Sequence, residues 1–225
     1  MLLEEVKATK QAIVDGRLWE HLTVKAQSHP KLWEAFHIFK GLTEYLEDGT
    51  PLFKQRAAFF TSPQDQYRPE VVRHCKRLLE DVSIPSSKDV LLILPETETK
   101  PLYETPIYQE LAASLGGDLR ILQVCFLSIP LGLIPVELSD IYPLSQHLAP
   151  RDIIPEVEGL VKHVIEFVRK YSYRQVIIVN TSTRHRPLIR QIKKALKTFH
   201  LIQIEGETKT STIVKTVKKA ISSAV

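Results

Sequence analysis

Lys100 and Glu137 are the side chains whose types and settings best suit chemistry in this sequence. Lys100 sits in a loop stiffened by Pro95, Pro101 and Pro106. There a lysine could bind an anionic group or, once desolvated, act as a nucleophile. Glu96, Glu98 and Glu104 lie close by in sequence, so a plain surface ion pair is the competing expectation. Glu137 follows a second loop, Ser128-Ile129-Pro130-Leu131-Gly132-Leu133-Ile134-Pro135. Its carboxylate could accept hydrogen bonds from an amine or amidine, or cap the next short helix. Gly132 permits either close backbone approach to a planar ligand or a positive φ. Tyr142, before Pro143, is read as a stacking platform or as core. Pro95, Pro101, Ser128, Pro130 and Leu131 complete the expected substrate surface.

A second kind of site is electrostatic. Residues 160–225 hold fourteen basic and three acidic side chains, net +11, whereas residues 86–159 hold four and eleven, net −7. Such a division fits a basic face for a polyanion beside an acidic region, or simply a solvated surface. Arg184, His185 and Arg186 stand where a helix starts after a strand, with Arg190, Lys193 and Lys194 following. Helix N-terminal amides with arginines suit a phosphate, so RNA contact is expected there. The eight histidines are scattered, and His147, His163 and His185 are too isolated to name a metal site. Neither a metal nor a cofactor is called for. Cys75 and Cys125 lie in dissimilar surroundings and are not expected to pair.

These residues need elements to position them. Apolar spacing through the first 80 residues is helical, with breaks at Asp15-Gly16, Ser28-His29-Pro30 and Glu47-Asp48-Gly49-Thr50-Pro51. Ala57 to Phe60 reads as a short strand or buried extended segment. Ile84-Pro85-Ser86-Ser87-Lys88 reads as a linker, which predicts two domains, 1–85 and 86–225. Beyond it, apolar runs at Val90–Leu94, Leu119–Phe126, Val176–Val179 and Leu201–Ile204 alternate with helical patterns. The fold class expected is α/β: an N-terminal helical region, then a mainly parallel sheet flanked by helices in three αβα layers. Both candidate loops would then follow buried strands, where open parallel sheets hold their ligands. No stretch approaches the roughly 18 apolar residues of a membrane span, and the expected location is the cytosol.

The stretch from Ser128 to Tyr142-Pro143, with its Pro-Leu-Gly-x-x-Pro-x-Glu-Leu, resembles archaeosine synthase, a paralogue of archaeal tRNA-guanine transglycosylase. His29-Pro30, Leu32-Trp33-Glu34, Tyr45-Leu46-Glu47, Arg56-Ala57 and Arg68-Pro69-Glu70-Val71-Val72-Arg73-His74 are similar to the segment that follows the catalytic barrel in those proteins. The resemblance implies tRNA modification: addition of an amine across the nitrile of 7-cyano-7-deazaguanine in the D-loop. It also implies tRNA as partner, with a separate transglycosylase, synthase or radical-SAM protein. Pro95, Lys100 and Pro101 match the family's reactive pattern, but Glu96 stands in its cysteine place. Leu102, Thr105 and Tyr108 stand for its tyrosine, serine and histidine, and His147 falls one residue late. A carboxylate cannot replace a thiolate as nucleophile toward a nitrile. Two readings follow: an enzyme working without covalent catalysis, or a non-catalytic tRNA-binding subunit. A small-ligand-binding α/β protein unrelated to RNA is the third.

Overall fold

The computed structural model describes residues 2–129, 131–150, 157–180, 185–197, 200–205 and 209–222. Four helices open the chain: α1 (Leu2–Val14), α2 (Leu18–Ala26), α3 (Pro30–Phe39) and α4 (Thr43–Asp48). β1 (Ala58–Phe59) and α5 (Pro69–Glu80) follow, then β2 (Val90–Pro95), α6 (Pro106–Leu115), β3 (Leu122–Ser128) and β4 (Gly132–Pro135). The chain continues through β5 (His147–Leu148), α7 (Val157–Tyr171), β6 (Gln175–Asn180), α8 (Arg186–Ala195), β7 (His200–Glu205) and α9 (Thr210–Ser222). Prolines at the first turn begin α3, α5, α6 and α8, where a missing N–H costs nothing.

Five strands form the main sheet in the order β4-β3-β2-β6-β7, all parallel except β4. This is the expected α/β architecture. Its strands read as continuous apolar runs because both faces are covered. Leu92, Leu94, Val124, Phe126, Ile177 and Val179 pack on one face with α6 and α9. Leu91, Ile93, Cys125, Leu127, Val176 and Ile178 pack on the other with α7 and α8. Cys75 and Cys125 are both free and buried.

The antiparallel β4 was not legible as a strand. It is four residues long between Leu131 and the turn at Val136, too short to show alternation. Gly132 takes a φ of 76° where it pairs with Ser128, so its freedom is spent on the reversal into β4. As an edge strand β4 presents unpaired carbonyls, and α5 covers them. His74 Nε2 donates to Leu133 O at 2.9 Å and Cys75 Sγ lies 3.9 Å from Leu131 O.

The N-terminal helices have a small core of Trp19, Ala26, Phe36 and Leu46, with Trp19 edge-on to Phe36 at 5.3 Å. Ala58, Phe60, Val71 and Cys75, all before the linker, belong to the same apolar cluster as the β2 and β3 residues. Arg68, 1% exposed, fastens this junction. Its guanidinium donates to Glu20 Oε1 at 2.9 Å and Phe59 O at 3.1 Å, within 3.8 Å of Asp65 and 3.6 Å of Glu70. β1 pairs in parallel with β5, Ala58 opposite His147, as a separate two-stranded sheet. Among the described residues no helix is long and apolar enough to cross a membrane.

Candidate functional site

The carboxyl ends of β2 and β6 lie side by side, and the chain leaves them in opposite directions. β2 leads to α6 on one face of the sheet, and β6 leads to α8 on the other. In open α/β sheets such a divergence, the topological switch point, is where the ligand crevice forms.

Glu96 stands at this crevice as the first residue after β2, its N–H bonded to Leu127 O. One carboxylate oxygen takes two partners. Lys100 Nζ, four residues on in the loop, donates to Oε1, and His147 Nε2 approaches the same oxygen at 2.6 Å. The side chains are 17% (Lys100), 3% (His147) and 11% (Glu96) exposed, so this is a largely buried triad rather than a surface pair. Burial alone would raise the Glu96 carboxyl. The hydrogen bond and charge of His147, joined by those of Lys100, outweigh it and hold the carboxyl at about 2. His147 Nδ1 faces Pro143 O at 3.0 Å, and Phe60 meets the ring edge-on at 5.8 Å. The ring thus lies between a carbonyl at one nitrogen and a carboxylate at the other. The triad therefore sets an ammonium and an imidazole on one carboxylate oxygen at the strand ends.

Cis peptide bonds precede Pro101 and Pro143, one in each loop that brings a partner to Glu96. Ser128, which ends β3, is fully buried, and its Oγ has no hydrogen-bond partner among the described residues. Asn180, which ends β6, is 7% exposed with Oδ1 likewise without one. Thr105 is unavailable, because its hydroxyl donates to Leu102 O at 2.7 Å.

Lys100 and Glu137, expected at one site, are not brought together. β4 carries the chain back along β3, so Glu137 reaches the amino end of the sheet. There it accepts from Gln123 Nε2 at 2.9 Å and from Lys88 Nζ. Gln123 lies beside Leu91 at the start of β2, on the order of 15 Å from Glu96 at 3.3 Å per residue. Tyr108 goes with it, lining a cavity of about 220 Å³ with Lys88, Arg120 and Glu137. Leu131 is a core residue with no exposed surface. Tyr142 lines a separate cavity against α5, its ring edge-on to Phe53 at 6.3 Å. Pro95 and Pro101 flank the triad, half-buried. Pro130 and Arg184 lie outside the described residues.

On α8, Arg186, Arg190 and Lys194 are exposed and Lys193 is half-exposed, without an acidic partner among the described residues. His185 is 3% exposed, so it stands behind this basic face rather than on it. Sequence reasoning set His147 against the family's pattern, one residue late, without giving it a role, and passed over Glu96 as anything but a failed nucleophile. Both come together through the β1–β5 pairing, which no local pattern announces.

The family described as "Domain of unknown function (DUF5591)" matches residues 71–221. The chain belongs to this family. Its DUF5591 region is accompanied by wider similarity to proteins named tRNA-guanine(15) transglycosylase. That of Saccharolobus solfataricus is 34% identical over 185 residues, covering 80% of this chain and 35% of the relative. That of Methanobrevibacter smithii is 30% identical over 207 residues, covering 87% and 29%. That of Methanocaldococcus jannaschii is 34% identical over 165 residues, covering 73% and 23%. The chain thus spans between about a quarter and a third of these relatives. A solved structure, "Crystal structure of AF0587, a protein of unknown function", is 17% identical with a TM-score of 0.48, covering 65% of this chain and 48% of that one.

Proposed function

We propose that this DUF5591 protein serves tRNA modification as a tRNA-binding component that works with a separate transglycosylase or synthase. One observation carries this reading. Where the resembling family places a reactive cysteine, Glu96 is an ionised carboxylate held by Lys100 and His147. A carboxylate neutralised on both sides is a poor nucleophile, and a lysine committed to it is not a free amine. What remains is a polar strand-end site suited to binding rather than to covalent attack. The names of the relatives support the tRNA assignment, and the exposed arginines and lysines of α8 offer phosphate contacts beside the crevice. In this reading the site receives tRNA in the region of a 7-cyano-7-deazaguanine or its modified product.

The test is to incubate the pure protein with tRNA bearing the cyano base and free lysine, and to weigh the nucleosides by mass spectrometry. No mass gain is expected from this protein alone. Binding of the same tRNA is expected, weakening steeply as salt rises. Amine addition by the protein alone would establish the enzyme reading instead, and absence of tRNA binding at low salt would remove both.

A further inference from the structure

The two edges of the main sheet are finished differently. The β4 edge is covered by α5, and the segment from Gly132 to Asp140 carries Glu137 and Asp140 with no basic residue. At the other edge β7 has β6 as its strand neighbour and no second one among the described residues. α8 joins β6 to β7 over one face of the sheet, and α9 follows β7 over the other, packed on β6 and α6. The β7 edge is thus flanked by a helix on each face.

Both of these helices are basic. Arg186, Arg190, Lys193 and Lys194 belong to α8 and Lys197 follows it, while Lys209 precedes α9 and Lys215, Lys218 and Lys219 lie on it. All are exposed except the half-exposed Lys193, and none has an acidic partner among the described residues. From Arg186 to Ser222 the sequence sets these cations against Glu205 and Glu207 alone, an excess suited to a polyanion. On α8 the charge also has a side. Gln191, Lys194 and Ala195 line a groove with Val161 of α7. Arg186, Arg190 and Lys193 recur at helical spacing on the flank away from that groove, the flank toward β7.

With packed layers about 10 Å apart, the cations of α8 and α9 are separated by on the order of 20 Å across the sheet edge. Two rows so far apart suit two strands better than one. Neither helix contains an aromatic residue on which an unstacked base could lie, so they offer phosphate contacts and no base readout. The unpaired backbone N–H groups along the outer side of β7 add donors between the rows. Resting on the tRNA reading above, we propose that the β7 edge cradles a double-helical arm of the tRNA, with α8 on one phosphate backbone and α9 on the other. The stem is then recognised by its shape and charge, apart from the Glu96 site.

The test titrates a short RNA hairpin, and a single strand of the same base composition, with the whole protein by fluorescence anisotropy over a range of salt. The hairpin is expected to bind several-fold more tightly than the single strand. Lys215→Ala, Lys218→Ala and Lys219→Ala together, all exposed on α9, should weaken the hairpin several-fold and lower the salt slope by about two or more, with the melting temperature unchanged. Lys162→Ala should leave hairpin binding unchanged, because that side chain is 73% exposed but sits on α7, beyond α8 from the β7 edge. A loss at Lys162 with none from the three α9 lysines would move the RNA to the outer surface of α7 and α8, overturning the proposal while the tRNA reading stands. Equal binding of hairpin and single strand would overturn it in the same way. Absence of binding by intact tRNA at low salt would remove the tRNA reading itself, and the β7 cradle with it.

Discussion

The two ends of the sheet each carry a glutamate bonded to a lysine, and they are not equivalent. At the amino end Glu137 is 47% exposed and meets Lys88 and Gln123, a pairing largely solvated and worth little. At the carboxyl end Glu96 is 11% exposed and shares one oxygen between Lys100 and His147. The same residue types therefore make a surface ornament at one end and a buried charged triad at the other. Depth, not composition, separates them.

The largest expected effect tests that contrast directly. Glu96→Gln should cost about 3 kcal/mol in denaturant unfolding, because it leaves the largely buried Lys100 without its anion and His147 without its acceptor. Glu137→Gln should cost less than about 1 kcal/mol. Equal losses would break the comparison. The pH dependence sharpens it. Glu96 ionises at about 2 when folded against an ordinary 4.5, so its contribution is full above about pH 4.5 and drains away as pH falls toward 2. His74 is displaced from 6.5 to about 4 by burial; the unfolded chain takes up its proton first, so that contribution is full above pH 6.5 and lost as pH falls toward 4. Acid unfolding curves should show both limbs, Glu96→Gln removing the lower and His74→Gln the upper, while Glu137→Gln leaves both intact. The smallest effect concerns tRNA. Arg186 begins α8 at the carboxyl end of the sheet and Lys194 lies near the helix's far end. Arg186→Ala should weaken binding more than Lys194→Ala and lower the salt slope by about one. The reverse order would place the RNA at the other end.

The parallel strands were legible because each is buried on both faces and so reads as an unbroken apolar run. Lys100 was legible because its prolines and the preceding strand fix its place locally. Glu137 was misplaced because a four-residue antiparallel strand reverses the chain, and such a segment leaves no periodic trace. His147, noted only as one residue late against the family's pattern, gained no role from sequence for a different reason: its place depends on Ala58 and Phe59 pairing with His147 and Leu148 from far up the chain.

That small β1–β5 sheet also decides how far the triad reaches along the chain. Glu96 and Lys100 are four residues apart, whereas His147 lies 51 residues beyond Glu96 and is seated by its pairing with Ala58. Closing loops of that length costs entropy that the local Glu96–Lys100 pair does not bear. The triad thus joins one short-range and one long-range contact on a single oxygen, and the two-stranded sheet is the clasp that holds the long-range one shut.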